Sequence, residues 1–129
     1  MPFLAAGDLT PYYGREVDGG ECVAFVRRVT AAPHTSLWRP GVRVRGGGVG
    51  RGTAISTFGS TGRYTNSYDG SAHCAILLGV HTDGLMVADQ WKGHPVAHRV
   101  LQFRGGRGKA VNDGDAFYVI EVEPLIPDD

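Results

Sequence analysis

The stretch "VDGGECVAFVRRVTAAP", residues 17–33, places a cysteine at the first turn of an apolar-periodic segment, directly behind two glycines and a glutamate. Cys22, Phe25, Val26 and Val29 recur at helical spacing, and Arg27 and Arg28 stand near the carboxyl end, where the dipole favours cations. Asp18 or Gly19 can cap the start and Pro33 stops the element, so a helix is expected from about Glu21 onward. Two readings of Cys22 follow. Free cysteine is among the most buried residue types, which makes it a small core residue. Alternatively, the open N–H groups of a helix start hold a thiolate there, below the roughly 8.5 of a free thiol, which makes it a nucleophile. The rest of the chain has to choose.

At 129 residues the chain is long enough for one domain with a proper core, and a single domain over 1–129 is expected. Its hydrophobic content of 42%, charged content of 20% and formal net charge of zero give no general affinity for nucleic acid or an anionic membrane. Twenty glycines and seven prolines predict short elements and tight turns, hence an α+β or β-rich domain rather than a helical bundle. The opening "MPFLAAGDL" lacks a basic flank and a long apolar run, so the expectation is synthesis in the cytoplasm without a signal peptide or membrane span. Cys22 and Cys74 do not make a disulfide framework.

Residues 10–20, "TPYYGREVDGG", form a turn-rich lead-in. In "TSLWRPGVRVRGGGVGRG" (35–52), Trp38, Val42 and Val44 are expected as core contacts between turns, and the glycines as a surface loop. "TAISTF" (53–58) is too short to assign by period, and "GSTGRYTNSYDGS" (59–71) has loop composition. "HCAILLGV" (73–80) and "GLMVADQW" (84–91), joined by "HTDG", predict a hairpin of two buried strands. "HRVLQF" (98–103) and "DAFYVIEVE" (115–123) are two further strands. The order is an amino-terminal helix followed by an antiparallel sheet.

Thiol chemistry on an amide needs an imidazole to hold the proton, a group to orient the imidazole, and donors for the oxyanion. The glycines ahead of Cys22 let a carbonyl approach the backbone, so the Cys22 N–H is a candidate donor. His73 opens a strand in which Ala75 and Leu77 share its face while Cys74, Ile76 and Leu78 take the other. If His73 points at the helix end, Cys74 points away and is a packing residue. Asp89, on the neighbouring strand, is placed to accept the other ring N–H, whereas Gln90 faces the opposite side. Each residue alone has a bland reading: core thiol, satisfied strand histidine, turn carboxylate. In the order helix cysteine, strand histidine, next-strand aspartate they favour catalysis.

The runs "GGECVAFVRRVTAAPHTSLWRPG", "GTAISTFGSTGRY", "HCAILLG", "VADQW" and "DGDAFYVIE" resemble the small papain-fold amidases of the NlpC/P60 and CHAP superfamily. More closely, they are similar to the type VI secretion amidase effectors of family two, over about residues 12–121. The resemblance implies a papain-like fold in which a helix bearing the cysteine packs on an antiparallel sheet bearing the histidine. It implies Cys22 as nucleophile, His73 as base, Asp89 as third polar residue, and Tyr12 or Tyr13 as an aromatic that assists the oxyanion. It further implies hydrolysis of peptide bonds in peptidoglycan, with the D-alanine to diaminopimelate cross-link as the associated bond, and no cofactor. Delivery by the type VI machinery into another bacterium's periplasm, and a cognate immunity protein, are implied as well. Cys74 departs from the pattern, where a small residue such as alanine follows the histidine. A Cys22–Cys74 disulfide would be an inactivating state in an oxidising compartment.

Other signals carry less. "RGGGVGRGT" and "RGGRGK" lack the Gly-Lys-Ser/Thr ending of a phosphate loop. "HPVAH" puts His94 and His98 four apart but without the glutamate of a zinc helix and with Pro95 between them, so no metal is expected. Arg99, Arg104, Arg107 and Lys109 read as a solvated basic face. Trp38 and Trp91 are core or groove-lining residues. Two rival functions are a catalytically inactive wall-binding module of the same fold and a cytoplasmic cysteine hydrolase or acyltransferase acting on a small amide.

Overall fold

The computed structural model describes residues 2–122. Helix α1 spans Cys22–Val29 and buries Cys22, Phe25, Val26 and Val29, the positions that the helical spacing singles out. Burying Phe25 and Val26 completely contributes about 1.5–3 kcal/mol each. The helix ends three residues before Pro33 is reached: Thr30 is extended, and its N–H (3.1 Å) and its hydroxyl (2.8 Å) both donate to the Val26 carbonyl. At the other end the cap residue is Glu21, not Asp18 or Gly19, and it provides no side-chain cap. Asp18 instead makes a two-pronged ion pair with Arg28, at 2.8 Å for each contact.

Six strands follow: β1 (Trp38–Arg43), β2 (Ala54–Ser56), β3 (Cys74–Val80), β4 (Gly84–Trp91), β5 (His94–Gln102) and β6 (Tyr118–Val122). They form one sheet in the order β1-β6-β2-β3-β4-β5, and every pairing is antiparallel. The expected hairpin is present as β3–β4. The segment read as core contacts between turns contains β1, an edge strand whose register slips between Pro40 and Arg43. Proline is tolerated at an edge because no ladder donor is needed on the outer side. The same tolerance lets β5 begin at His94, through Pro95, rather than at residue 98. Residues 114–116 are a turn of 3-10 helix, so β6 starts at Tyr118.

The central strands β2, β3 and β4 are buried on both faces. Cys74, Ile76, Ala88, Val96, Ile120 and Trp38 pack with the helix and with Leu9 and Val17 of the lead-in. Ala75, Leu77, Leu85, Val87 and Leu101 pack on the far side against Val44, Ile55 and Phe117. Double burial explains why β3 reads as an unbroken apolar run instead of an alternating one. No helix among the described residues is long and apolar enough to cross a membrane.

Candidate active site

The segment leading into Cys22 is shaped for one purpose. Asp18, Gly19 and Gly20 take three successive positive φ values, 48°, 95° and 92°, and such a run is tolerable only because two of the residues lack a Cβ. Gln90, fully buried beneath them, ties the segment to β4: its Oε1 accepts from the Val17 N–H at 2.9 Å, and its Nε2 donates to the carbonyls of Val17 and Glu21, each at 2.8 Å. The chain therefore enters the helix along a fixed path. With no side-chain cap, the first-turn N–H groups at Cys22 and Val23 open onto a groove of about 1210 Å³ that both residues line.

Cys22 sits in this groove with Tyr64, Tyr68, His73, Trp91 and Arg99 around it. The Tyr64 hydroxyl is 3.5 Å from the Cys22 sulfur. Hydrogen bonding from the Cys74 thiol, then from His73 and Tyr64, together with the positive charge on His73, outweighs burial and brings the Cys22 thiol down to about 4. Cys74 moves the other way: burial first, then the contact with Cys22, pushes its thiol well above the ordinary value. Cys22 is thus the thiolate and Cys74 its protonated neighbour, and both are free of disulfides.

His73 lies immediately before β3, and its backbone is clamped by the end of β2. Its N–H donates to Thr57 Oγ1 at 3.0 Å, while its carbonyl accepts from the Thr57 N–H at 3.0 Å and from Ser56 Oγ at 3.2 Å. Its Nε2 is 2.7 Å from Asp89 Oδ2, so Nδ1 is the nitrogen left for the sulfur. Burial would lower the imidazole's affinity for a proton, but the hydrogen bonds to Asp89 and Cys22 and their two negative charges lift it to about 9. The Asp89 side chain is 1% exposed, and burial alone would raise its carboxyl; hydrogen bonds and charge from His73 and Arg99 prevail and hold it below the usual range. An ionised cysteine, a charged imidazole and a carboxylate behind it form one connected line.

The structure thus brings Cys22, His73 and Asp89 together, and it departs from the sequence reading in three places. Cys74 does not point away from the helix end. The strand alternates as expected, but the face that meets α1 is the one carrying Cys74 and Ile76. His73 still reaches Cys22 because it stands just outside the strand, at the sheet's end, where alternation no longer decides direction. Tyr12 and Tyr13 are not among the groove residues: Tyr12 packs edge-on against Phe25 at 6.0 Å, and Tyr13 tilts against His98 at 5.7 Å. The tyrosine beside the sulfur is Tyr64, from a loop with no periodic signal. Finally, Arg99 does not stand on a solvated face alone: it donates to Asp89 from Nε at 3.0 Å, with Nη2 in ion-pair contact at 2.9 Å. His94 and His98 are separated by their strand, one stacked on Trp91 at 4.0 Å and the other against Tyr13.

Known proteins share this arrangement of chain. A protein of Ixodes scapularis described as Domesticated amidase effector 2 is 36% identical over 127 residues, covering 92% of this chain and 85% of the relative. The Type VI secretion amidase effector 2 protein of Salmonella typhi is 30% identical over 114 residues, covering 78% of this chain and 84% of its own. A solved structure of Type 6 secretion amidase effector 2 superposes with a TM-score of 0.77 at 27% identity, covering 94% of this chain and 96% of that one. The family described as Domesticated amidase effector 2 matches residues 4–120, which carry every side chain of the groove named above, and the chain belongs to that amidase family.

Proposed function

We propose that the protein is a cysteine amidase of papain-like architecture, a single catalytic domain that hydrolyses a peptide bond in bacterial peptidoglycan. The observation that carries this reading is the Cys22–His73–Asp89 line at the uncapped start of α1, its sulfur brought down to about 4 and its imidazole raised to about 9. At neutral pH such a pair rests as thiolate and imidazolium, the state that needs no further activation before attack.

The Cys22 thiolate adds to the amide carbon and the carbonyl oxygen becomes an oxyanion. The Cys22 N–H, free of any side-chain cap, donates to it, and the Tyr64 hydroxyl, 3.5 Å from the sulfur, is the second donor. Burial and the nearby Cys22 thiolate raise the Tyr64 phenol, which therefore keeps its proton and can donate throughout the working range. The His73 imidazolium gives its Nδ1 proton to the departing amine, the C–N bond breaks, and an acyl-thioester remains on Cys22. Neutral His73 then takes a proton from water, whose oxygen attacks the acyl carbon and releases the thiolate. Asp89 keeps Nε2 occupied, so that Nδ1 always faces the reaction.

Release of soluble fragments from purified peptidoglycan, followed by mass analysis of the muropeptides, tests both the activity and the bond. Wild type should release peptide fragments, with the D-alanine to diaminopimelate cross-link as the expected position, and Cys22→Ala should release none. Retained cleavage by Cys22→Ala would exclude a thiol mechanism, and an effect on cells that survives this substitution would point to a wall-binding module. The name of the Salmonella relative supports delivery by a type VI machinery; arrival in another cell's periplasm and an immunity protein occupying the groove belong to the same proposal. Targeting the protein to the periplasm of a test bacterium should lyse it, whereas expression in the cytoplasm should not.

A further inference from the structure

Asp89 is more heavily paired than an orienting carboxylate requires. Oδ2 meets His73 Nε2 at 2.7 Å, accepts from Arg99 Nε at 3.0 Å and lies in ion-pair contact with Arg99 Nη2 at 2.9 Å, while Oδ1 accepts from Arg99 Nε at 3.3 Å. The same Nη2 stands 3.5 Å from His73 Nε2. Two cations therefore share one carboxylate that is 1% exposed, while the Arg99 side chain keeps 30% of its surface open to solvent. Arg99 is not there by proximity in the strand. In the β4–β5 register it faces Val87, and Ala97 is the residue opposite Asp89, so its side chain runs diagonally along the sheet to reach the carboxylate. Trp91 supports it on the way, with the guanidinium 4.7 Å from the ring centroid, and Trp91 is itself stacked by His94 at 4.0 Å.

The groups facing the imidazole are Cys22 from α1, with Cys74 of β3 behind it, Asp89 from β4 and Arg99 from β5, together with the rings of Trp91 and Phe117 at 6.2 and 6.4 Å. Both anions favour imidazolium. Burial opposes it, and among the charged groups Arg99 does so, by repulsion across 3.5 Å and by drawing on the charge of Asp89. On the amidase reading, which this inference presupposes, the imidazole must be charged to release the amine and neutral to activate water. Once Cys22 is an uncharged acyl-thioester, Asp89 is the anion left on the imidazole, and an unshared Asp89 would hold the ring charged at the step that needs it neutral.

We propose that Arg99 is a positioning residue for that cycle: by sharing Asp89 it keeps the carboxylate aimed at Nε2 while leaving His73 able to surrender and retake a proton at Nδ1.

The test is a titration of the His73 ring by NMR in the free protein, paired with transient kinetics. The wild-type midpoint is expected at about 9. In Arg99→Met, which keeps bulk and removes charge, it should rise by roughly one unit or more, because one repulsive contact is lost and one anion is unshared. Arg99→Lys should restore it most of the way. The Arg99–Asp89–His73 contacts do not involve the sulfur, so the same change carries to the acyl-thioester: water attack should slow and the acyl-enzyme should accumulate as a burst. A purely structural Arg99 would lower activity without moving the midpoint. A rise under about half a unit, or a fall, overturns the proposal. If Arg99→Met does not fold, Arg99→Gln, which retains donors without the charge, reads the same midpoint. The titration needs no substrate, so its outcome is separate from that of the Cys22→Ala digestion, which judges the amidase reading itself.

Discussion

Cys22 and His73 have their protonation set in opposite directions, and the interval between them is where the site can work. The thiolate is present above about 4 and is lost as pH falls through that value; the imidazolium is present below about 9 and is lost as pH rises through it. A bell-shaped profile of kcat/KM bounded near these values is expected, flat across neutrality. Because the Cys74 thiol is the largest contributor to the low Cys22 value, Cys74→Ala should move the acid limb upward, toward the roughly 8.5 of an ordinary thiol, and leave the alkaline limb in place. Rate profiles of the two proteins, or the pH dependence of Cys22 alkylation, check this; an unmoved acid limb would remove Cys74 from the site. The three main residues were legible in the sequence because each stands at a recognisable place: a helix start, a strand start, the next strand. Tyr64 and Arg99 were not. Tyr64 is brought in by a loop, where no period predicts direction, and Arg99 lies in a run of cations whose diagonal reach across a sheet no one-dimensional pattern encodes.

An eight-residue helix is too short to hold itself together in water, so α1 depends on what it is fastened to. On one side this is the apolar core, and at its start it is Gln90. Gln90→Ala would leave the buried Val17 N–H without its partner, at a cost of about 1–3 kcal/mol, and would loosen the turn that aims the Cys22 N–H, although the Val17 carbonyl keeps the Gly20 N–H and the Glu21 carbonyl keeps those of Ala24 and Phe25. Chemical denaturation should show that loss, and residual amidase activity in the folded fraction should fall as well; a stable variant with full activity would show the turn to be self-supporting. At this scale the helix and the β3–β4 hairpin could be read directly, since their apolar runs are long and their turns are marked. β1 and β2 were hidden for physical reasons. β1 contains Pro40 and Gly41 and survives as a strand only because it is an edge, and β2 has three residues, fewer than any period needs. Yet the end of β2 is what clamps the His73 backbone.

Across the whole molecule the sheet is assembled out of chain order. β6 lies between β1 and β2, pairing Trp38 with Val122 on one side and Ile55 with Val119 on the other. Trp38 is fully buried, its Nε1 donates to the Pro33 carbonyl at 2.9 Å, and its ring meets that of Tyr64 at 5.1 Å. Removal of residues 118–122 should therefore abolish activity and cooperative unfolding together, although every residue of the Cys22–His73–Asp89 line is retained; a shortened chain that still cleaved would show that β1 can dock without its partner. The position of β6 also bears on synthesis. During translation the nucleophile leaves the ribosome nearly a hundred residues ahead of the strand that seats Trp38 and, through it, Tyr64. The surroundings of the sulfur are thus completed only once the last described strand has been threaded into the gap left for it.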